Sequence, residues 1–242
     1  MEKITTAIIL AGGKGLRLRP FTEKNPKVMV PVAGRPIADW QLSWLKRSGI
    51  SHIIFAAGHY WEKINEHFGD GTPEGIKIEY SVEDKPLGTG GCLKMTMKLA
   101  SAQTLLALNG DVLTDLSIQR MAKFHHAHHA VATLLAVPFA SPYGMVHVSA
   151  DGLAEGFVEK PVFPDSWING GIYLLTRDIL AHLPATGDIE TATFPKLAKK
   201  GRIAAFRYKG FWRAVDTVKD LQTLDSELVS RNLEHGRGAM KF

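Results

Sequence analysis

The sequence predicts an α/β fold, a three-layer sandwich around a mostly parallel mixed sheet, and three observations carry that prediction. Short β-type runs alternate with helical patterns through the first half, in the order that right-handed βαβ units require. A glycine-rich turn follows directly on the first β-type run, at the edge where open α/β sheets receive ligands. From Ala130 onward the alternation gives way to strands separated by turn signals, the pattern of an antiparallel or mixed extension that closes one side of a pocket.

The expected strands of the first half are Ala7 to Leu10, His52 to Ala57, Ile76 to Ser81 and Thr104 to Leu108. Helices are expected at Ile37 to Ser48, Tyr60 to Phe68 and Gly91 to Leu99, where apolar residues recur three and four apart. Leu42, Leu45 and Ile50 should face the sheet. In the second half, strands are expected at Ala132 to Val137, Met145 to Val148, Gly156 to Glu159 and Ile168 to Leu175. A closing helical run, Val218 to Asn232, should pack across the sheet or against a second subunit.

With 242 residues, 45% of them hydrophobic, the chain can bury a sizeable core, and no linker divides it. A single domain over 1–242 is expected. The lone cysteine, Cys92, excludes an intrachain disulfide and points to a reducing, cytoplasmic setting. The apolar run near the N-terminus is too short for a signal core or a membrane span, so no membrane partner is expected. A net charge of +5 suits an anionic ligand, but Lys and Arg are scattered along the whole length, which speaks for phosphates rather than nucleic acid.

The first strand runs into Leu10-Ala11-Gly12-Gly13-Lys14-Gly15-Leu16-Arg17-Leu18-Arg19-Pro20, followed by Asn25-Pro26-Lys27. Glycines at a strand's carboxyl end let backbone N–H groups approach an anion. The spacing excludes a P-loop, which needs four residues between its glycines and then Gly-Lys-Ser/Thr. A dinucleotide fingerprint is excluded too, because Leu18 stands where its third glycine belongs. Lys14, Arg17, Arg19 and Lys27 concentrate positive charge instead, which suits a triphosphate.

Two carboxylates follow apolar runs further along. Asp111 ends Leu108-Asn109-Gly110-Asp111 and should emerge beside the glycine turn, where it could also cap the next turn. Asp216, in Trp212-Arg213-Ala214-Val215-Asp216-Thr217, stands before the last helix, where an N-cap also belongs.

The ordered string Gly12-Gly13-x-Gly15-x-Arg17-Leu18-x-Pro20 with Pro26-Lys27 resembles the signature of the sugar-1-phosphate nucleotidylyltransferase family. The resemblance implies a Rossmann-like three-layer α/β sandwich and a magnesium-dependent enzyme that joins a nucleoside triphosphate to a sugar 1-phosphate. It implies a nucleotide-binding portion over about 1–116 and a sugar-phosphate portion over about 117–242. Gly12 and Gly13, with Leu10, Ala11 and Gly15, would hold the nucleotide phosphates; Arg17 would neutralise the leaving pyrophosphate and Lys27 would act at the reacting phosphates. Leu16 departs from the pattern, since many members carry Thr there. Asp111 and Asp216 match the pair that holds Mg²⁺, an ion that takes one or two carboxylates together with phosphate oxygens and water. Asn109 and Gly110 belong to the same nucleotide site.

Three later stretches resemble the family as well: Tyr143-Gly144, Phe157-Val158-Glu159-Lys160-Pro161 and Asn169-Gly170-Gly171-Ile172-Tyr173. By resemblance Glu159 and Asn169 bind sugar hydroxyls, Lys160 binds the sugar's phosphate and Gly144 binds the ring, with Tyr143 and Gly170 in the same sugar-phosphate site. The run from Tyr80 to Gly91, with Glu83, Pro86, Gly88 and Thr89, should shape the base pocket. It is similar to short guanylyltransferases that activate heptose or mannose 1-phosphates, where uridylyl- and thymidylyltransferases often carry Gln in place of Glu83. It also resembles a short uridylyltransferase of cell-wall recycling, so GTP is favoured while uridylyl, cytidylyl and thymidylyl transfer stay open. A catalytically silent regulatory relative would be marked by loss of Arg17, Lys27, Asp111 or Asp216, and all four are present. The family also makes a homo-oligomer plausible.

Two further features are expected to be structural. The run His125-His126-Ala127-His128-His129 should be a solvated helix end rather than a metal clasp. Trp40, Trp44, Tyr60 and Trp61 should be core or subunit-contact residues.

Overall fold

The computed structural model describes residues 3–234, with side chains through Leu228. Seven strands form the central sheet: β1 (Thr6–Ala11), β2 (His52–Ala57), β3 (Lys77–Val82), β4 (Thr104–Asn109), β5 (Ala132–Ala140), β6 (Val162–Thr176) and β7 (Ile203–Arg207). Their spatial order is β7-β5-β6-β4-β1-β2-β3. All neighbours are parallel except β6, which runs antiparallel to both β4 and β5. The order reverses between β1 and β4, and at such a switch point the loops diverge and leave a crevice at the carboxyl ends.

Helices cover both faces. The β1 side chains alternate between them: Ala7 and Ile9 join Leu42, Trp44 and Leu45 of α1 (Ile37–Arg47), Ile64 and Phe68 of α2 (Trp61–Phe68), and Met121 of α4 (Ile118–Ala127). Ile8 points the other way, toward Cys92, Leu93 and Met97 at α3 (Gly88–Thr96), Ile189 of α5 (Ile189–Ala192) and Phe194 and Leu197 of α6 (Phe194–Lys199).

The expected elements differ from the observed ones where distant partners intervene. α3 begins three residues before the expected Gly91, because Gly90 and Gly91 donate their N–H groups to the Gly187 carbonyl and Thr89 N–H donates to Asp188. A short ribbon pairs Val112–Thr114 with Trp212–Ala214. The last helix, α7 (Val218–Glu234), packs on a cluster separate from the two that flank the central sheet. Its Leu221, Leu224 and Leu228 are buried against Leu18, Val30, Val32, Trp40, Phe211 and Val215, a third cluster that grips the segment after the glycine turn. Full burial of a leucine stabilises by about 1.5–3 kcal/mol, so these three contacts anchor the α7 end of the chain firmly beside that turn.

The histidine run is also corrected. His125 is buried on α4, with Nδ1 2.7 Å from the Thr133 hydroxyl, while His128 and His129 are exposed. Trp40 and Trp44 are core residues whose indole N–H groups donate to the Val32 and Leu116 carbonyls.

Candidate active site

A cleft of about 670 Å³ opens at the carboxyl ends of β1 and β4. Its walls include Leu10, Ala11, Gly12, Gly13, Gly15, Arg17, Lys27, Glu83, Pro86, Gly88, Thr89, Asn109, Gly110, Asp111 and Asp216, all singled out in the sequence. Two glycines are required by close approach. A Cβ on Gly12 would come within 2.7 Å of the Glu83 carboxylate. One on Gly110 would meet Val28 and the Leu10 carbonyl, so only glycine lets the β4 end turn beside the β1 end and present Asp111 to the cleft.

Asp111 and Asp216 are brought together by backbone pairing. The Val112–Thr114 and Trp212–Ala214 ribbon continues into a bond from Val215 N–H to the Asp111 carbonyl at 2.9 Å, which sets Asp216 next to Asp111. Asp216 does not cap α7. Thr217 and Asp220 do so reciprocally, with Thr217 N–H donating to Asp220 at 2.8 Å and Asp220 N–H donating to the Thr217 hydroxyl at 3.2 Å. The Asp216 carboxylate is thereby left for the cleft.

The Lys27 ammonium lies between the two carboxylates, 2.5 Å from Asp111 and 2.9 Å from Asp216, and Arg17 donates to Asp216 at 2.9 Å. Lys27 and Asp111 are largely shielded, whereas the Arg17 side chain is 71% exposed, so the inner pair is screened less by solvent. A cation already sits between two hard oxygen donors, which is the chemistry that Mg²⁺ requires of Asp111 and Asp216. Among the described residues no group of three or more His, Cys, Asp or Glu side chains is placed to hold a metal, so an ion here would complete its shell with phosphate oxygens and water.

At the opposite wall, Glu83 is fixed by Leu87 N–H, which donates to Oε2 at 3.0 Å, and Oε1 lies over Gly12. Cys92 also lines the cleft, but burial, reinforced by the Glu83 charge, raises its thiol pKa to about 11 and leaves it a packing group.

The residues proposed for the sugar phosphate do not line this cleft. Gly144 and Glu159 face each other at the base of an exposed ribbon, Met145–Val148 with Ala154–Val158, where a Cβ on Gly144 would reach Glu159 within 2.8 Å. Tyr143 is 76% exposed, and Lys160 lies 3.6 Å from Glu159. Asn169 and Gly170 fall at an irregularity of β6 between Asn169 and Tyr173, and Gly171 abuts Asn109. Asn169 is linked to the cleft wall by a chain of side chains: its amide bonds Tyr173, Tyr173 bonds Glu190, and Glu190 bonds Thr89.

Glu190 and the cleft residue Asp188 carried no sequence signal, since two acids after a turn read as a solvated helix start. The placement of Asp188 and Asp216 also means that the second half of the chain completes the cleft begun by the first.

A family model described as Nucleotidyl transferase matches residues 6–231. The mannose-1-phosphate guanylyltransferase of Mycobacterium tuberculosis (strain ATCC 25618 / H37Rv) is 33% identical over 92% of this chain and 64% of its own length. The mannose-1-phosphate guanylyltransferase catalytic subunit beta of Xenopus tropicalis is 33% identical over 90% of this chain and 62% of its own. The chain thus spans less than two thirds of these relatives. Among solved structures, HddC from Yersinia pseudotuberculosis superposes with a TM-score of 0.75 at 25% identity, over 93% of this chain and 100% of that one, and HddC has also been solved in complex with GMP-PN. With the model match running over nearly the whole chain, this protein belongs to the nucleotidyl transferase family.

Proposed function

We propose that the chain joins GTP to a manno-configured hexose or heptose 1-phosphate, releasing pyrophosphate and forming the nucleoside diphosphate sugar. The observation that carries this reading is the Lys27 ammonium held between Asp111 and Asp216 in the wall of a glycine-lined cleft. The names of the 33% identical relatives support guanylyl transfer to mannose 1-phosphate.

The attacking group is a phosphate oxygen of the sugar 1-phosphate, ionised near neutral pH because the second pKa of a phosphomonoester is about 6. No general base is needed. The obstacle is mutual repulsion of two polyanions, so the chain's task is to position them and offset their charge. In this reading the backbone of Gly12 and Gly13 cradles the triphosphate, Lys27 meets the reacting phosphates, and Arg17 meets the departing pyrophosphate. Asp111 and Asp216 would hold Mg²⁺, which when bound supplies Lewis-acid charge to phosphate oxygens. Residues 1–116 carry most of the nucleotide site and 117–242 the sugar-phosphate site, with Glu159, Lys160 and Asn169 at the sugar. A single buried thiol supports a reducing, cytoplasmic setting.

Phosphorus NMR of the chain with GTP, mannose 1-phosphate and Mg²⁺ tests the proposal. Paired diphosphate-diester resonances growing together with pyrophosphate support it; release of GDP and phosphate instead would overturn it.

A further inference from the structure

The polar chain beside the cleft has a direction that its chemistry fixes. Thr89 Oγ1 donates to Glu190 Oε2 at 2.6 Å, and the Tyr173 hydroxyl donates to Oε1 at 3.0 Å. A carboxylate only accepts, and each hydroxyl has one proton, so both protons are committed to Glu190 and both hydroxyl oxygens are left as acceptors. Ile189 N–H uses the Thr89 oxygen at 3.0 Å, and Asn169 Nδ2 uses the Tyr173 oxygen at 2.9 Å. The Asn169 amide must therefore turn its NH₂ toward Tyr173 and its Oδ1 toward Gly171 N–H, which donates at 3.0 Å. Tyr173 is fully buried, and burial together with the Glu190 charge raises its pKa far above the ordinary phenol value, so the proton stays on the hydroxyl.

We propose that Glu190 is a positioning residue that sets the donor and acceptor sides of the Asn169 amide and, through Thr89, ties the sugar-side strand to the nucleotide-side helix. The proposal rests on the nucleotidylyl-transfer reading above. Asn169 is itself exposed, with one N–H and one oxygen lone pair uncommitted, and these are the groups a sugar hydroxyl would meet. Were the amide free to flip, its uncommitted donor and acceptor would exchange places in front of the sugar. Glu190 opposes this from a distance, without touching the sugar, and acts together with the Gly171 N–H that donates to Oδ1. Because the same carboxylate holds Thr89 at the start of α3, a change at Glu190 is felt at both substrates, whereas a change at Tyr173 is felt at one.

Steady-state kinetics with GTP and mannose 1-phosphate varied separately test this in Tyr173→Phe, Glu190→Leu and the double variant, each also melted thermally. Tyr173→Phe should raise KM for the sugar phosphate about tenfold and leave KM for GTP within about twofold, while Glu190→Leu should raise both, the size expected for one mispaired polar contact. The double variant should have a sugar-phosphate KM no worse than the poorer single, since both act on one bond chain. Unchanged KM values with a lower Tm would reduce Glu190 to a structural role and overturn the proposal, as would multiplicative KM losses. A wild-type chain with no turnover would instead strike the functional reading. The Asn169 side-chain amide resonance, identified by its loss in Asn169→Asp, then decides the relay alone: one exchange-protected Nδ2 proton that loses protection in Tyr173→Phe and Glu190→Leu upholds it, and an amide indifferent to both overturns it.

Discussion

Lys27 reaches Asp111 across 84 positions of sequence, with its ammonium 2.5 Å from the carboxylate, and the same nitrogen touches Asp216 at 2.9 Å. One cation thus joins the glycine turn after β1, the turn after β4 and the entry to α7. The arrangement is ready for a polyanion: phosphates arriving in the cleft compete with the carboxylates for Lys27 and Arg17, while a divalent ion can take the carboxylates.

Lys27→Ala and Arg17→Ala should each lower turnover by about two orders of magnitude or more, because the lost charge acts where negative charge develops. Pyrophosphate release by the purified, folded variants measures this. Near-normal turnover in Lys27→Ala would remove that residue from the reaction.

Asp111→Asn and Asp216→Asn should each weaken activity and its dependence on Mg²⁺. The double variant should be little worse than the poorer single, since both carboxylates act through one ion. Rates measured across a magnesium titration and in excess chelator check this; full activity in chelator contradicts it.

Glu83→Gln should shift nucleotide preference from GTP toward UTP or dTTP by about 1–3 kcal/mol, the range for a matched polar contact in a buried site. Guanine offers two adjacent donors that a carboxylate accepts, whereas uracil and thymine offer one donor between two acceptors. Leu87 N–H donates to Oε2, which leaves Oε1, beside Gly12, as the oxygen without that bond. Direct competition between nucleotides at equal concentration gives the ratio, and unchanged selectivity in the variant removes the role.

His125 links pH to stability. Burial, with His126 nearby, lowers its pKa from 6.5 to about 4, so between those values the unfolded chain binds a proton that the folded chain does not. Its contribution is complete above the unfolded pKa and is lost as pH falls from there toward 4. Between about pH 7.5 and pH 5 the loss should be about 2 kcal/mol. Urea denaturation at the two pH values, on wild type and His125→Gln, tests this: the variant should show a flatter profile, and identical slopes would contradict it.

Much of the fold was legible because the informative signals were local. β2 matches its expected span, and β1, β3 and β4 differ at their ends by a residue or so, since each is a short apolar run bounded by turn residues. What escaped depends on partners far away in sequence. The true start of α3 is set by Gly187 and Asp188, about a hundred positions on, and no pattern near Gly88 reveals them. The three-residue pairing of Val112–Thr114 with Trp212–Ala214 is too short to announce itself, although it is what sets Asp216 beside Asp111. Composition misled at His125, where a polar run hides one residue whose helical position faces the core. Glu190 was missed for the converse reason, being an acid in an ordinary polar segment whose partners, Thr89 and Tyr173, lie on other elements.

The most direct measurement is the initial rate of pyrophosphate release by the purified chain with each of GTP, UTP, CTP and dTTP paired with a panel of sugar 1-phosphates in Mg²⁺. Release that requires both substrates and is fastest for GTP with a manno-configured hexose or heptose 1-phosphate is the expected result. No release from any pair, or release of equal rate without a sugar phosphate, would contradict nucleotidylyl transfer as the work of the Lys27, Asp111 and Asp216 site.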